Sequence, residues 1–263
     1  MQWTTQRIRA MKGHEKIACL TAYDYAMARI MDEAGIPLIL VGDSLAMTVL
    51  GYETTLPVTV NEMLHHTAAV VRGVRHALVV ADMPFLSYQA SIETAIDNAG
   101  RFLKEAGAHA VKVEGGAFRA PTVAALVQNG IPVLGHIGLT PQSVREMGGY
   151  KVQGRDEAHA DQLVADARAL ESAGAFGIVL ECIPATVAAT ITSSVGVPTI
   201  GIGAGAQCDG QILVTNDLLG LYSGVTPRFV KRYAELGSAM AKAFADYRSD
   251  VLNSTFPADE HTY

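Results

Sequence analysis

The sequence predicts an α/β barrel of eight parallel strands alternating with helices, the TIM (β/α)8 architecture, preceded by a short helix and filling one domain, residues 1–263. Three observations carry this reading. Short apolar runs that read as buried strands recur along the chain, and five of them end on a polar group: Leu38–Val41 leads to Asp43 and Ser44, Ala77–Ala81 to Asp82, Ala110–Val113 to Glu114, Pro132–Gly135 to His136 and Ile178–Leu180 to Glu181. Polar groups after five such strands suggest ends converging on one site, as at the C-terminal face of a barrel. A chain of 263 residues with 49% hydrophobic and 17% charged content can bury the core this fold needs. No linker, low-complexity segment or repeat beyond the βα rhythm interrupts it.

The units follow in order. Thr4 caps a helix to about Met11 that lies outside the repeat and would close the barrel's bottom. Lys16–Thr21 is strand one, and the helix over Ala26–Ala34 stops at Gly35. Strand two is Leu38–Val41; Thr59 then precedes a helical pattern over Glu62–His76, and strand three carries Asp82 at its tip. Ser91 caps a helix with Ala95, Ala99, Phe102 and Leu103 at helical spacing, ending near Gly107 before strand four. A helix at about Pro121–Gln128 leads to the strand PVLGHI, then to a long polar, glycine-rich loop over 139–155 that is a candidate lid or ligand-contacting segment. Helix Asp156–Ala173, strand FGIVLE, a helix near Ala185–Ser194 and the strand in VPTIGIGAG follow. Ile212–Thr215 is read as strand eight, Arg228–Arg248 as a long closing amphipathic helix, and Val251–Tyr263 as a frayed tail.

Composition narrows the function classes. A net charge of −6 without a basic block argues against nucleic acid and for a small polar ligand. No apolar run approaches the roughly 18 residues that cross a bilayer, and the first residues lack a signal-like apolar core, so no membrane partner and a cytoplasmic location are expected. Cys19, Cys182 and Cys208 are odd in number and lack metal-ligand spacing, which fits a reducing compartment.

The chemistry concentrates at the strand ends. Asp43, Asp82 and Glu114 offer hard oxygen ligands from neighbouring strands and suit Mg²⁺. Each acid alone reads equally well as a helix cap. Three in succession favour a metal, because carboxylates crowded without a cation raise one another's pKa. Lys112 alternates with Val111 and Val113 and shares a strand face with Glu114, so it is either a structural ion-pair partner or a cation for a substrate carboxylate or enolate. Glu181 reads as a helix cap or a general base. His136 divides evenly between a packed histidine and a functional one, while Tyr23 and Asp24 are weaker candidates. Cys182 is read as structural. The glycines of GIGAG, Gly201–Gly205, come too late in the chain for a dinucleotide fingerprint, with Ala206 at the third glycine position; they permit tight turns, leave room over the site, or shape a phosphate pocket.

Several longer motifs add a resemblance. VGDSL followed by GY and TLPVT, Asp82 in AD-P, VK-EGG over Lys112–Gly116, GHIGLTPQS over Gly135–Ser143, LEC-P over Leu180–Pro184, and GIGAG with CDGQ-LV are closely similar to the ketopantoate hydroxymethyltransferase family, in the same order over roughly Ile17–Tyr233. Ala46 stands where a glycine is usual, Val113 where leucine is commoner and Ala206 where proline is usual; none of these removes a polar functional group. The resemblance implies a TIM barrel of the phosphoenolpyruvate/pyruvate class, a Mg²⁺ enzyme of pantothenate synthesis, methylenetetrahydrofolate as cosubstrate, and a homodecamer of two pentameric rings. It carries the metal to Asp43 and Asp82, with Glu114 bound directly or through water. It places substrate contacts on Asp43, Ser44, Asp82 and Lys112, the proton acceptor on Glu181, and His136 close by. Two rivals stand beside it: a Mg²⁺-dependent 2-oxoacid carbon–carbon lyase or mutase that uses no folate, and a non-enzymatic scaffold that keeps only the fold.

Overall fold

The computed structural model describes residues 2–221, 224 and 227–263. Strands β1 (Ile17–Thr21), β2 (Leu38–Val41), β3 (Leu78–Asp82), β4 (Ala110–Glu114), β5 (Val133–Gly138), β6 (Gly177–Glu181), β7 (Thr199–Ile202) and β8 (Gly210–Leu213) pair in sequence order, all parallel. The pairing of β1 with β8 closes the barrel. The helices are α1 (Thr5–Ala10), α2 (Tyr25–Glu33), α3 (Leu45–Thr48), α4 (Val60–Gly73), α5 (Ile92–Lys104), α6 (Ala120–Gln128), α7 (Glu157–Ser172), α8 (Ala185–Ser194), α9 (Thr215–Leu218) and α10 (Leu236–Leu252).

Local chemistry sets the helix starts. Thr4, Asp24, Ser91 and Asp156 each accept a hydrogen bond from a first-turn N–H with the side chain, satisfying a donor that the helix itself cannot. Thr59 and Glu62 do this reciprocally as a capping box at the start of α4. Asp24 is therefore a cap.

Strand alternation then builds two cores. Outward residues such as Ile39, Val79, Val111, Val133 and Ile178 pack with the helices. Inward residues, among them Leu38, Leu40, Leu78, Val80, Leu134 and Ile200, fill the barrel. Ile8 and Met11 join this inner cluster with Trp3 against it, so α1 does plug the barrel.

Three expectations need correction. Strand eight is Gly210–Leu213, not Ile212–Thr215; Thr215 instead opens α9. The final helix starts at Leu236, eight residues after Arg228, and none of its residues is buried. The terminal segment is not simply frayed: Phe256 packs its ring 5.7 Å from Tyr247 and 5.2 Å from His261. The chain forms two compact units, one running to Val214 and one over Thr215–Tyr263. In the second, Tyr233 and Leu236 donate backbone hydrogen bonds to Leu218 and Leu219. Every candidate site residue lies in the first. Among the described residues, no helix is long and apolar enough to cross a membrane.

Candidate active site

Register explains how the strand ends meet. Pairing of β3 with β4 sets Asp82 beside Lys112, and pairing of β4 with β5 sets Glu114 beside His136. Because paired positions of a parallel sheet face the same way, all four side chains enter the barrel, with Glu181 reaching in from the end of β6. Asp43 arrives differently. Its parity in β2 matches the outward Ile39 and Val41, but the turn at Gly42 redirects the chain and brings the carboxylate in. A side chain at Gly42 would have its Cβ 2.8 Å from Ser44 Oγ and would force that hydroxyl to shift.

The resulting cleft, about 130 Å³, is lined by Asp43, Ser44, Asp82, Lys112, Glu114, His136 and Glu181 with Thr21, Thr55 and Tyr150. All the predicted site residues are thus brought together. Lys112 Nζ lies 2.6 and 2.7 Å from the two Asp82 oxygens and 3.5 Å from Glu114 Oε1. The Asp43 N–H donates to Asp82 Oδ2 at 3.2 Å. The His136 ring spans two acids, with Nδ1 3.4 Å from Glu114 Oε1 and Nε2 3.2 Å from Glu181 Oε2, although neither nitrogen is aligned as a hydrogen-bond donor. Ser44 Oγ pairs with the Tyr23 hydroxyl at 2.9 Å.

The electrostatics are those of an under-neutralised acid cluster. Burial, then the charges of Asp82 and Glu114, push Asp43 well above the usual carboxylate range. Asp82 is also raised by burial, which the adjacent Lys112 only partly offsets. Burial acts on Glu114 in the same direction, but Lys112 and His136 reverse it and hold this carboxyl below its ordinary value. Mutual elevation thus holds for two of the three acids. Burial disfavours the Lys112 ammonium, yet Asp82 and Glu114 outweigh it and keep the charge. Burial and Lys112 likewise oppose a proton on His136, but Glu114 and Glu181 raise it to about 9.

Asp43, Asp82, Glu114 and Glu181 against the Lys112 ammonium and the His136 imidazolium leave excess negative charge, which fits a divalent cation with hard-oxygen preference. Among the described residues no three His, Cys, Asp or Glu side chains close into a ready cage. Mg²⁺ commonly takes one or two carboxylates and fills its shell with water and substrate oxygens. Asp43 and Asp82 are the residues best placed to hold it.

The sequence pattern of the ketopantoate hydroxymethyltransferase family matches residues 2–259. The chain belongs to that family. It is 59% identical over 261 residues to 3-methyl-2-oxobutanoate hydroxymethyltransferase of Syntrophus aciditrophicus, covering 99% of this chain and 96% of that protein. The Carboxydothermus hydrogenoformans protein of the same name is 58% identical, with 99% and 95% covered. Among solved structures, 2,3-dimethylmalate lyase of the PEP mutase/isocitrate lyase superfamily aligns with TM-score 0.64 at 17% identity, covering 100% of this chain and 92% of that one. Phosphonopyruvate hydrolase in complex with oxalate and Mg²⁺ aligns with TM-score 0.65 at 14% identity, covering 99% and 93%. These two likenesses establish the shared barrel. Family membership makes the chain an enzyme, a hydroxymethyltransferase, and sets aside the scaffold reading.

Three site residues escape the sequence reading of this hydroxymethyltransferase. Gln142 is buried at the mouth and bonded to Asp43, with Tyr88 behind it. Their signals were thin: a glutamine in LTPQS and a tyrosine in a loop. Thr55, the first residue of TLPVT, lines the cleft with a buried hydroxyl that has no hydrogen-bond partner among the described residues. Burial and then Glu181 push the Cys182 thiol up to about 12, which disfavours the thiolate that nucleophilic use would need. None of the GIGAG glycines lines the cleft; Gly205, at φ +81°, turns the chain where a Cβ would lie 2.6 Å from that of Ala185.

Proposed function

We propose that this enzyme transfers a hydroxymethyl group from methylenetetrahydrofolate to 3-methyl-2-oxobutanoate, giving ketopantoate for pantothenate synthesis, with Mg²⁺ as cofactor. The observation that supports it best is the placing of Glu181 across the cleft from the Asp43, Asp82 and Glu114 cluster. A base on one side and under-neutralised acids on the other suit removal of a proton next to a polarised carbonyl. Mg²⁺ held by Asp43 and Asp82 would supply Lewis-acid stabilisation of developing negative charge, worth several kcal/mol.

The chain's own residues do the rest. Ser44 and the neighbouring backbone bind the oxoacid carboxylate, and Lys112 offsets negative charge as C3 loses its proton. Glu181 takes that proton: its side chain is 16% exposed, against 3% for Asp82 and Glu114, so it is the acid open to substrate. C3 then bonds to the one-carbon unit, and hydrolysis releases tetrahydrofolate. His136, between Glu114 and Glu181, sets positive charge beside the base. The folate is too large for the cleft and lies along the loops after β5 to β7, where Tyr150 of the 139–155 segment lines the opening.

The reading includes a cytoplasmic homodecamer of two five-membered rings. Exposed Leu236, Met240, Phe244 and Tyr247 on α10 are apolar surface that a subunit contact would cover. The decisive experiment mixes oxoacid, methylenetetrahydrofolate and Mg²⁺ and measures ketopantoate by mass. Oxoacid cleavage or rearrangement without folate would replace this reading with the lyase or mutase alternative.

A further inference from the structure

One uncharged side chain at the barrel mouth has its hydrogen-bonding capacity fully engaged. Gln142 is 5% exposed and belongs to the 3-10 turn Pro141–Ser143. Its amide nitrogen donates to Asp43 Oδ2 at 3.0 Å and to the Met83 carbonyl at 2.9 Å. Its Oε1 accepts from the Tyr88 hydroxyl at 2.7 Å and from Gln89 Nε2 at 3.0 Å. A main-chain carbonyl can only accept, so the Met83 contact sets which end of the amide faces Asp43. The backbone N–H of the same residue donates to Glu114 Oε2 at 3.1 Å. Two acids from different strands are therefore held by one residue through two different groups.

The choice of a neutral donor matters. Asp82 is gripped by the Lys112 ammonium, which neutralises it as well as orienting it. Asp43 has no such cation; among the described residues its carboxylate accepts a hydrogen bond from Gln142. An amide fixes the rotamer through a hydrogen bond to Oδ2 and brings no positive charge of its own, whereas a lysine here would compete with any metal. The Tyr88 hydroxyl extends the brace by donating to Gln142 and accepting the Glu114 N–H at 3.2 Å.

We propose that Gln142 is a positioning residue that aims the Asp43 and Glu114 carboxylates at one divalent cation, braced from behind by Tyr88. This rests on the metal role given to these acids above, and the test separates the two. Full-length protein without substrate is titrated with Mn²⁺, with free ion followed by electron paramagnetic resonance and folding checked by circular dichroism and melting. Gln142→Ala should weaken Mn²⁺ binding by roughly 10- to 100-fold, the usual effect of losing an outer-shell partner. Tyr88→Phe, which keeps the ring and loses the brace, should weaken it by roughly 2- to 10-fold. A role confined to packing would lower the melting temperature of Gln142→Ala and leave its Mn²⁺ affinity, once folded, at the wild-type value. Wild-type Mn²⁺ affinity in folded Gln142→Ala, or in Tyr88→Phe if the first variant does not fold, overturns the proposal while leaving the metal site standing. Wild-type affinity in Asp43→Ala overturns the metal assignment, and this proposal with it.

Discussion

The imidazole of His136 links Glu114 to Glu181, its two nitrogens 3.4 and 3.2 Å from one oxygen of each. It thereby joins the acid cluster of β2 to β4 to the isolated acid of β6. Such a bridge couples the charges of the two acids, so that a change at Glu181 is felt at Glu114.

Replacing Glu181 by Gln tests the base. The amide is nearly isosteric and the proposed metal ligands sit on other strands, so metal and oxoacid binding should persist. Deuterium wash-in at C3 of 3-methyl-2-oxobutanoate in D₂O, without folate, should fall by roughly 10² to 10⁴-fold. Near-normal exchange would move the base role to His136.

Asp43→Ala and Asp82→Ala should each abolish Mg²⁺ binding and activity together, measured by calorimetry and turnover after chelation and Mg²⁺ titration. The two should differ in stability. Asp82→Ala strands the Lys112 ammonium, whose remaining ion-pair partner among the described residues is Glu114 at 3.5 Å, and should cost roughly 3 to 5 kcal/mol. Asp43→Ala removes an elevated, crowded acid and should cost less. Denaturant titration of the metal-free proteins gives the order; equal losses would contradict it.

Lys112→Ala removes the cation that neutralises Asp82 and, in the proposed reaction, the oxoacid. Oxoacid affinity at saturating Mg²⁺ should drop at least tenfold, as expected for losing one charge-assisted hydrogen bond. Unchanged affinity with a lowered melting temperature would assign Lys112 to the Asp82 ion pair alone.

Stability of the metal-free protein should fall with rising pH. His136 holds its proton to about 9 in the fold against 6.5 ordinarily, so its stabilisation is complete below 6.5 and lost as pH climbs through 9. The full effect is roughly 3 kcal/mol. Asp43 acts in the same direction, since an acid raised by folding favours the fold only while protonated. Urea midpoints across pH 6.5 to 9 should decline for the wild type and decline less for His136→Gln; a flat wild-type profile would rule this out.

Much of this enzyme is legible in one dimension. Apolar runs of strand length, capping residues such as Thr4, Thr59 and Asp156, and stop glycines are local signals, and they place the first six strands within two residues, while strand seven ends three residues before the last glycine of VPTIGIGAG and strand eight begins two residues earlier than read. The polar residue after each run predicts a shared site, because parallel strands of a barrel deliver their ends to one face. Strand eight and the last helix are misread for different reasons: GQIL opens on glycine and a polar residue, which hides the start of a strand that does alternate in burial, and α10 carries an amphipathic pattern yet buries no residue. The site's inner wiring depends on distance in space. The side chain of Asp43 has outward parity and reaches the cleft only through the turn at Gly42, and Gln142 meets it across 99 residues of chain. Periodicity reports which face of an element is buried; which atoms of distant loops then come within 3 Å is decided by barrel closure and register alone.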